Sequence, residues 1–434
     1  MRNFIRKIVV KILLWEAKKV LVKYHPRIVG VTGNLGKTST KDTISAVLAT
    51  GFTVRSSDKS YNSEFGLPLS VLNLKSGWYS PFRWLLVILS GLFQVLVKNF
   101  YPEWLVLELG VDQPNDMQVV VDWLWLDIAL MTGMSDPPVH VGNFKNAQEL
   151  YNEKAKILKG LTKEGTLIVN YDDRITMGLI EKDLHKRVTY GLHKGADIGA
   201  SNIHLLYREE NGKSVPEGLT FKLEYQGKSL PVRLPGVIGK NMVYAALAAI
   251  SVGIVLKLNV VEMIAALATA KRPKGRLRLL RGIKDTMIID DTYNSSPAAA
   301  TLAIETLGSL EIRGKRIAVL GDMLELGSHG EAAHTNLGDE TAKVADVIIT
   351  VGDMGRLIAE GALDAGFPRE KLAHFENSKE ASKEIAKYLS SGDLVLVKGS
   401  QGMRMEYIVK EIIIDQSQSS ELLVRQDKDW LAKK

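Results

Sequence analysis

Residues 27–40, RIVGVTGNLGKTST, constrain the fold more than any other stretch of this chain. A β-branched run leads into glycines at 30, 33 and 36, and Lys37-Thr38 opens a helical pattern, KTSTKDTISAVLAT. A strand that ends in a glycine loop and passes straight into a helix turns backbone N–H groups and the positive helix end toward an anion. Lys37 adds a point charge, and the Thr38 hydroxyl suits a hard cation such as Mg²⁺. The general phosphate-loop spelling wants a glycine where Val31 stands, so the loop follows a narrower pattern, G-x-x-G-x-x-G-K-T. It predicts a nucleotide site on an α/β framework, with Gly33, Asn34, Gly36, Lys37, Thr38 and Ser39 around the phosphates.

The alternation continues beyond the loop. EWLVLELG (103–110), DIALMTGM (127–134) and GTLIVNYDD (165–173) read as apolar strands ending in polar or glycine residues, with helical patterns between them. That is the pattern of a parallel sheet covered by helices. Residues 196–235 switch to polar–apolar alternation with turn signals, which predicts a small antiparallel excursion; GKNMVYAALAAISVGIVLKL returns to helix. RPKGR (272–276) is a basic Pro/Gly break suited to a hinge. After it DTMIIDDTYN, RIAVLGDM, ADVIITVG and DLVLVKGS restart the alternation as a Rossmann-like unit that lacks a G-x-G-x-x-G fingerprint. A chain of 434 residues is too long for one core. The expected layout is an arm (1–26), a central parallel-sheet P-loop ATPase-type domain (27–272), a Rossmann-like C-terminal domain (273–415) and a loose polar tail (416–434).

Charge is concentrated at one end. Residues 1–24 hold seven Lys/Arg against Glu16 alone, which is +6 of the chain's +7, so the body is nearly neutral and nucleic acid is not an expected partner. The absence of cysteine excludes disulfide and thiolate chemistry. At helical spacing Ile5, Ile8, Val9, Ile12, Leu13 and Trp15 share one side of the arm, with Arg6, Lys7, Lys11 and Lys18 roughly opposite. Such a helix either lies on an anionic membrane surface or packs on the domain behind it. WLLVILSGLFQVLV (84–97) is too short to span a bilayer, which takes about 20 residues, and predicts a buried or monolayer-dipping helix. A cytoplasmic monomer, held peripherally at the inner membrane face through residues 1–24 and 84–97, is the expectation.

The loop and the motifs after it resemble the Mur ligases, the amide-forming ligases of peptidoglycan synthesis. SYNSEFGLPLSVLNL (60–74), LVLELG (105–110), HVGNFKNAQELYNEKAKIL (140–158), DDTYNSSP (290–297), IAVLGDMLELG (317–327) and LVKGSQGMRMEYIV (396–409) follow in family order. The last three are similar to the branch that adds D-alanyl-D-alanine. The resemblance spans about 28 to 413 and implies ATP-dependent ligation of that dipeptide to a muramoyl-tripeptide carboxylate through an acyl phosphate. It implies Lys37, Glu108, His140 and Lys154 as catalytic residues. It also implies two Mg²⁺ ions held by Thr38, Glu108, His140 and Lys154, the last as a carbamate formed with CO₂. Arg276, Asp291, Tyr293 and Asn294 would contact ATP; Asn62, Glu64, Lys398 and Ser400 would contact the donor and acceptor.

Several positions depart from the family pattern. Lys156 replaces a glutamate, Ala245 an asparagine that helps hold ATP, Gln401 an arginine, and Ser296 stands in the family's NANP-type turn. No counterpart of the family's N-terminal uridine-nucleotide domain is visible before the loop. Alternative expectations follow: a Mur-fold ligase for a lipid-linked, poly-glutamate or folate-type carboxylate, or a silent nucleotide-binding protein at the membrane.

Overall fold

The computed structural model describes residues 2–57, 65–77, 80–134, 138, 140–210 and 213–431. Asn62 and Glu64, expected to meet substrate, lie outside them.

The chain forms two sheets joined through the RPKGR stretch. The first has nine strands in the order β2-β3-β1-β4-β5-β6-β7-β8-β9. These are β1 (Arg27–Thr32), β2 (Val54–Ser56), β3 (Trp104–Glu108), β4 (Leu126–Met131), β5 (Leu161–Asn170), β6 (Lys186–Gly191), β7 (Ile198–Glu210), β8 (Lys213–Tyr225) and β9 (Lys228–Pro235). Neighbours from β2 through β7 run parallel, and β7-β8-β9 run antiparallel. The expected excursion at 196–235 is thus an extension of the same sheet rather than a separate lobe.

Both faces of the parallel part are covered, as its continuously apolar strands require. One face packs α2 (Lys37–Leu48) and the helix Lys240–Val255 against Val29, Val31, Val106 and Ile128. The other buries Ile28, Leu105, Leu107 and Ala129 under α1 (Arg2–Tyr24), α3 (Gly66–Leu72) and α4 (Pro81–Leu96). The arm is therefore a packed helix, and its buried stripe is Leu13, Glu16, Ala17 and Val20. Trp15 and Ile8, expected on the apolar side with Leu13, stay exposed. Of the two forms expected for residues 84–97, the structure does not show the buried one: among the described residues of α4, Gly91 alone is fully buried. Its neighbour is Glu16, so close that a Cβ on Gly91 would fall 2.1 Å from the carboxylate.

The second sheet has the order β10-β11-β15-β12-β13-β14: β10 (Arg278–Arg281), β11 (Met287–Asp291), β12 (Arg316–Gly321), β13 (Val347–Val351), β14 (Leu372–Phe375) and β15 (Leu394–Lys398). All pairs are parallel except β10–β11, and helices cover both faces around two apolar cores. The tail is not loose. Leu423 and Val424 are buried, and the Arg425 guanidinium enters the protein to meet Glu406 Oε2 at 2.8 Å and the carbonyl oxygens of Thr292 and Tyr293. A polar composition concealed this, because the buried arginine finds its partners far away in sequence.

Candidate active site

The glycine loop is held by two steric facts. Gly33 has φ of 139°, and a Cβ there would meet Thr132 Oγ1 at 2.0 Å; Gly36, with φ of 73°, caps α2 from the left-handed region. Only glycine occupies such positions without strain. The amides of Asn34 and Leu35 donate to the Gly133 carbonyl at 2.9 and 3.2 Å, which ties the loop to the end of β4.

Pairing of β1 with β3 sets Glu108 opposite Val31, beside the loop. Its Oε2 accepts from Thr38 Oγ1 at 2.7 Å, and both side chains are buried. A hydroxyl and a carboxylate in contact would supply two positions of the octahedral oxygen shell that Mg²⁺ takes, the others being open to phosphate oxygens and water. Among the described residues no group of three or more His, Asp or Glu is placed to hold a metal ion.

Two lysines converge behind the loop. Lys37 and Lys154 each donate to the Gly33 carbonyl, at 3.0 and 3.2 Å. Lys154 projects from α6, with α5 (Asp116–Val121) and α6 (Ala147–Ala155) lying on the same side of the sheet; it is 2% exposed. Burial first, and the neighbouring Lys37 charge second, bring its pKa down to about 7. Burial also lowers Lys37, while Glu108 pulls the other way. Lys156, the departure from the family pattern, turns to Glu153 at 2.6 Å; Glu153 in turn accepts the Met117 amide at the head of α5.

The C-terminal unit closes onto this loop at two points. Arg276 donates to Thr38 Oγ1 at 2.9 Å, and its guanidinium stacks 4.1 Å from the centre of the Tyr293 ring. His140, at φ of 69°, has Asp112 Oδ1 3.4 Å from Nε2 and Glu325 Oε2 of the 317–327 motif 3.0 Å from Nδ1. Burial holds its pKa below the usual histidine value against the pull of those two carboxylates. A cleft of about 1410 Å³ opens between the units, lined by Lys37, Glu108, His140, Arg276, Tyr293 and Asn294 among others. That is roomy for one ligand, since small-molecule sites run to about 1,000 Å³, and suits two.

The expected residues do not all face the open cleft in the same way. Lys398 and Asp291 reach its wall but bind each other, Nζ to Oδ2 at 2.6 Å, with a further bond from Lys398 to the Asn294 carbonyl. Ser400 Oγ accepts the Leu324 amide, and Asn294 Oδ1 accepts from the Gln401 amide. Lys398, expected to receive an acceptor carboxylate, lines the cleft and is bonded within the turn. Sequence reasoning missed Asp112, Glu325, Arg404 and Trp430, which share the cleft wall. It also passed over Asn241, whose buried Oδ1 has no partner among the described residues. The helix start KNMVYAALAA carried that signal; ordinary surface carboxylates such as Glu325 carried none.

Comparison with known proteins then fixes the family. Residues 91–253 match the Mur ligase middle domain, and residues 275–401 match the Mur ligase glutamate ligase domain. The chain is 30% identical over 398 residues to the UDP-N-acetylmuramoyl-tripeptide–D-alanyl-D-alanine ligase of Bacillus subtilis (strain 168), an alignment spanning 92% of this chain and 78% of that protein. The chain belongs to the Mur ligase family. It is accordingly an ATP-dependent amide ligase. Solved structures of that fold include MurF from Acinetobacter baumannii (TM-score 0.74, 23% identity, 93% of this chain and 79% of that one). MurF ligase from Thermotoga maritima, in complex with ADP, superposes with a TM-score of 0.72 at 24% identity over 93% and 83% of the two chains. Among the described residues no helix is long and apolar enough to cross a membrane.

Proposed function

We propose that the protein joins D-alanyl-D-alanine, through its amine, to the terminal carboxylate of a UDP-N-acetylmuramoyl-tripeptide, with ATP as activating substrate, in peptidoglycan precursor synthesis. The observation that carries this reading is the meeting of Thr38, Glu108 and Arg276 at one loop, two bonds of 2.7 and 2.9 Å that bring both halves of the molecule to the phosphate position. Relatives that align with about nine-tenths of this chain bear that name, at 92% and 89% coverage.

Amide formation needs a carboxylate made electrophilic. A donor oxygen attacks the γ-phosphorus as the bond to the ADP oxygen breaks, which yields an acyl phosphate. The dipeptide amine then adds to the acyl carbon, its proton passes to solvent, and phosphate departs with the bonding electrons. The loop amides and Lys37 hold the triphosphate, and Arg276 reaches it only when the two halves meet. Mg²⁺ at Thr38 and Glu108 would neutralise charge on the transferring phosphoryl group. A second ion fits His140 only if Lys154 gives up its positive charge, which a carbamate does. A lysine with its pKa near 7 supplies the neutral amine, which attacks the carbon of CO₂ and loses a proton to give the carbamate. Asn241 offers its orphaned oxygen to ligand in the same cleft.

In this reading residues 27–272 carry the nucleotide and 273–415 complete the cleft, in a cytoplasmic monomer that touches the inner membrane face peripherally. Purified protein given ATP, the muramoyl-tripeptide and D-alanyl-D-alanine should release phosphate and form the pentapeptide product only with all three present. Phosphate release that needs a folate-type or poly-glutamate carboxylate instead would replace the donor, and no donor-dependent release would end the proposal.

A further inference from the structure

Helices α1 and α4 take no part in the ligase chemistry, yet they build a well-defined surface. Phe82, Leu85, Leu86, Leu89, Phe93 and Leu96 recur at helical spacing along α4, and all are exposed, Leu96 by 73%. Phe100, 79% exposed, continues the ridge past the helix end. The inner side of α4 is tied down: Trp84, Val87 and Val95 pack into the core beneath. Lys23 of α1 caps the helix end, its Nζ donating to the carbonyls of Gln94, Val95 and Val97 at 3.0, 2.9 and 2.7 Å. The Asn99 amide donates to the Tyr24 hydroxyl at 2.8 Å, which fixes the segment that follows. The apolar ridge is therefore a held feature and not a frayed element. A contiguous patch of this kind on a soluble surface marks an interaction site.

The charges beside it select the occupant. Arg6, Lys7, Lys11, Lys18 and Lys19 of α1 and Lys98 after α4 are all exposed. Glu16, the one acid in either helix, is buried under Gly91. A second copy of the same face would set cations against cations. A surface that combines an apolar layer with negative headgroups satisfies both parts at once. At about 1.5 Å per residue, the 16 residues of α4 cover roughly 24 Å, short of a bilayer core, so the helix lies along the surface.

We propose that α4, flanked by the basic side of α1, docks this protein onto an anionic phospholipid bilayer, its Leu/Phe ridge at the acyl boundary and its lysines among the headgroups. This gives the membrane contact named above a defined face and lipid chemistry, and it stands apart from the identity of the ligase donor. It also orients the cleft. Arg83, in the first turn of α4, pairs with Asp429 at 3.2 Å, and the next residue, Trp430, lines the cleft, so docking holds that edge of the site at the lipid surface.

The test is sedimentation of the full chain with vesicles of phosphatidylcholine alone or mixed with phosphatidylglycerol, with ligase turnover measured in parallel. Binding should require phosphatidylglycerol and weaken with salt. It should fall at least tenfold in Leu85→Glu/Leu89→Glu, and about fivefold for each of Lys7, Lys11 and Lys18 changed to Gln. Turnover in vesicle-free buffer should be unchanged in all these variants, which shows them folded. Equal binding by wild type and the double glutamate variant, or no binding by wild type, overturns the proposal. So does a dimer in analytical ultracentrifugation that the double variant dissolves, because a second copy would then cover the ridge.

Discussion

The two units around the cleft carry similar cations in opposite states. On the loop side Lys37 and Lys154 both donate to one backbone carbonyl, and burial lowers the pKa of each. On the far side Lys398 is neutralised by Asp291, while Arg404 and Arg425 share the two oxygens of Glu406 at 2.6 and 2.8 Å. The first pair is held by a neutral backbone oxygen rather than by a carboxylate. The second group is internally paired and sets the shape of the turn, while Arg276 of the same unit reaches across to Thr38. A charged residue at a cleft wall is thus a ligand group or a scaffold depending on whether the protein already answers its charge.

Changing one cation on each wall breaks the comparison most directly. Lys37→Ala should lower kcat/KM for ligation by about a thousandfold with the thermal midpoint nearly unchanged, as for loss of a group that acts on transition-state charge. A small activity loss there would place the phosphate elsewhere. Lys398→Met should do the reverse: a buried Asp291 left without its partner costs about 3–5 kcal/mol, read by denaturant unfolding. Full stability in that variant would mean Lys398 is available to substrate after all.

Lys154 sharpens the loop side through pH and CO₂. With its pKa near 7, the amine is mostly protonated below that pH and mostly neutral above it, and only the neutral form takes up CO₂. Activity in CO₂-depleted buffer should drop by about tenfold and return with bicarbonate, with less return at pH 6 than at pH 8. An arginine at 154, always charged, should be beyond rescue; rescue of Lys154→Arg by bicarbonate would remove the carbamate from the account. The smallest effect belongs to the tail. Arg425→Ala loosens the backbone under Tyr293, so KM for ATP should rise by about tenfold while kcat stays within about threefold, and Arg425→Lys should recover part of the loss. A change in kcat alone would deny Arg425 this positioning role.

Much of this was legible in the residues. The glycines at 30, 33 and 36, the strand before them and Lys37-Thr38 after them define a phosphate loop by local geometry, which neighbouring residues enforce. The strand ends carrying Glu108 and Asp291 were legible too, because period and composition mark a parallel strand without knowledge of its neighbours. Arg276 came from the family resemblance at the hinge, and the structure brings it to the loop across more than two hundred residues. Glu325 and Trp430 were not legible, since an exposed acid and a tail tryptophan have no periodic setting that distinguishes them.

By itself, then, the sequence determined which elements form and in what order, because those depend on local conformation and on the spacing of apolar residues, and its motifs carried the family resemblance. Only the tertiary structure decided what each charge does. Lys398 meets Asp291, Lys154 loses most of its hold on a proton, Arg425 leaves solvent for Glu406, and α4 keeps its leucines outside. Each outcome turns on desolvation and on partners brought from elsewhere in the chain, and neither quantity exists until each sheet has packed with the helices that cover it.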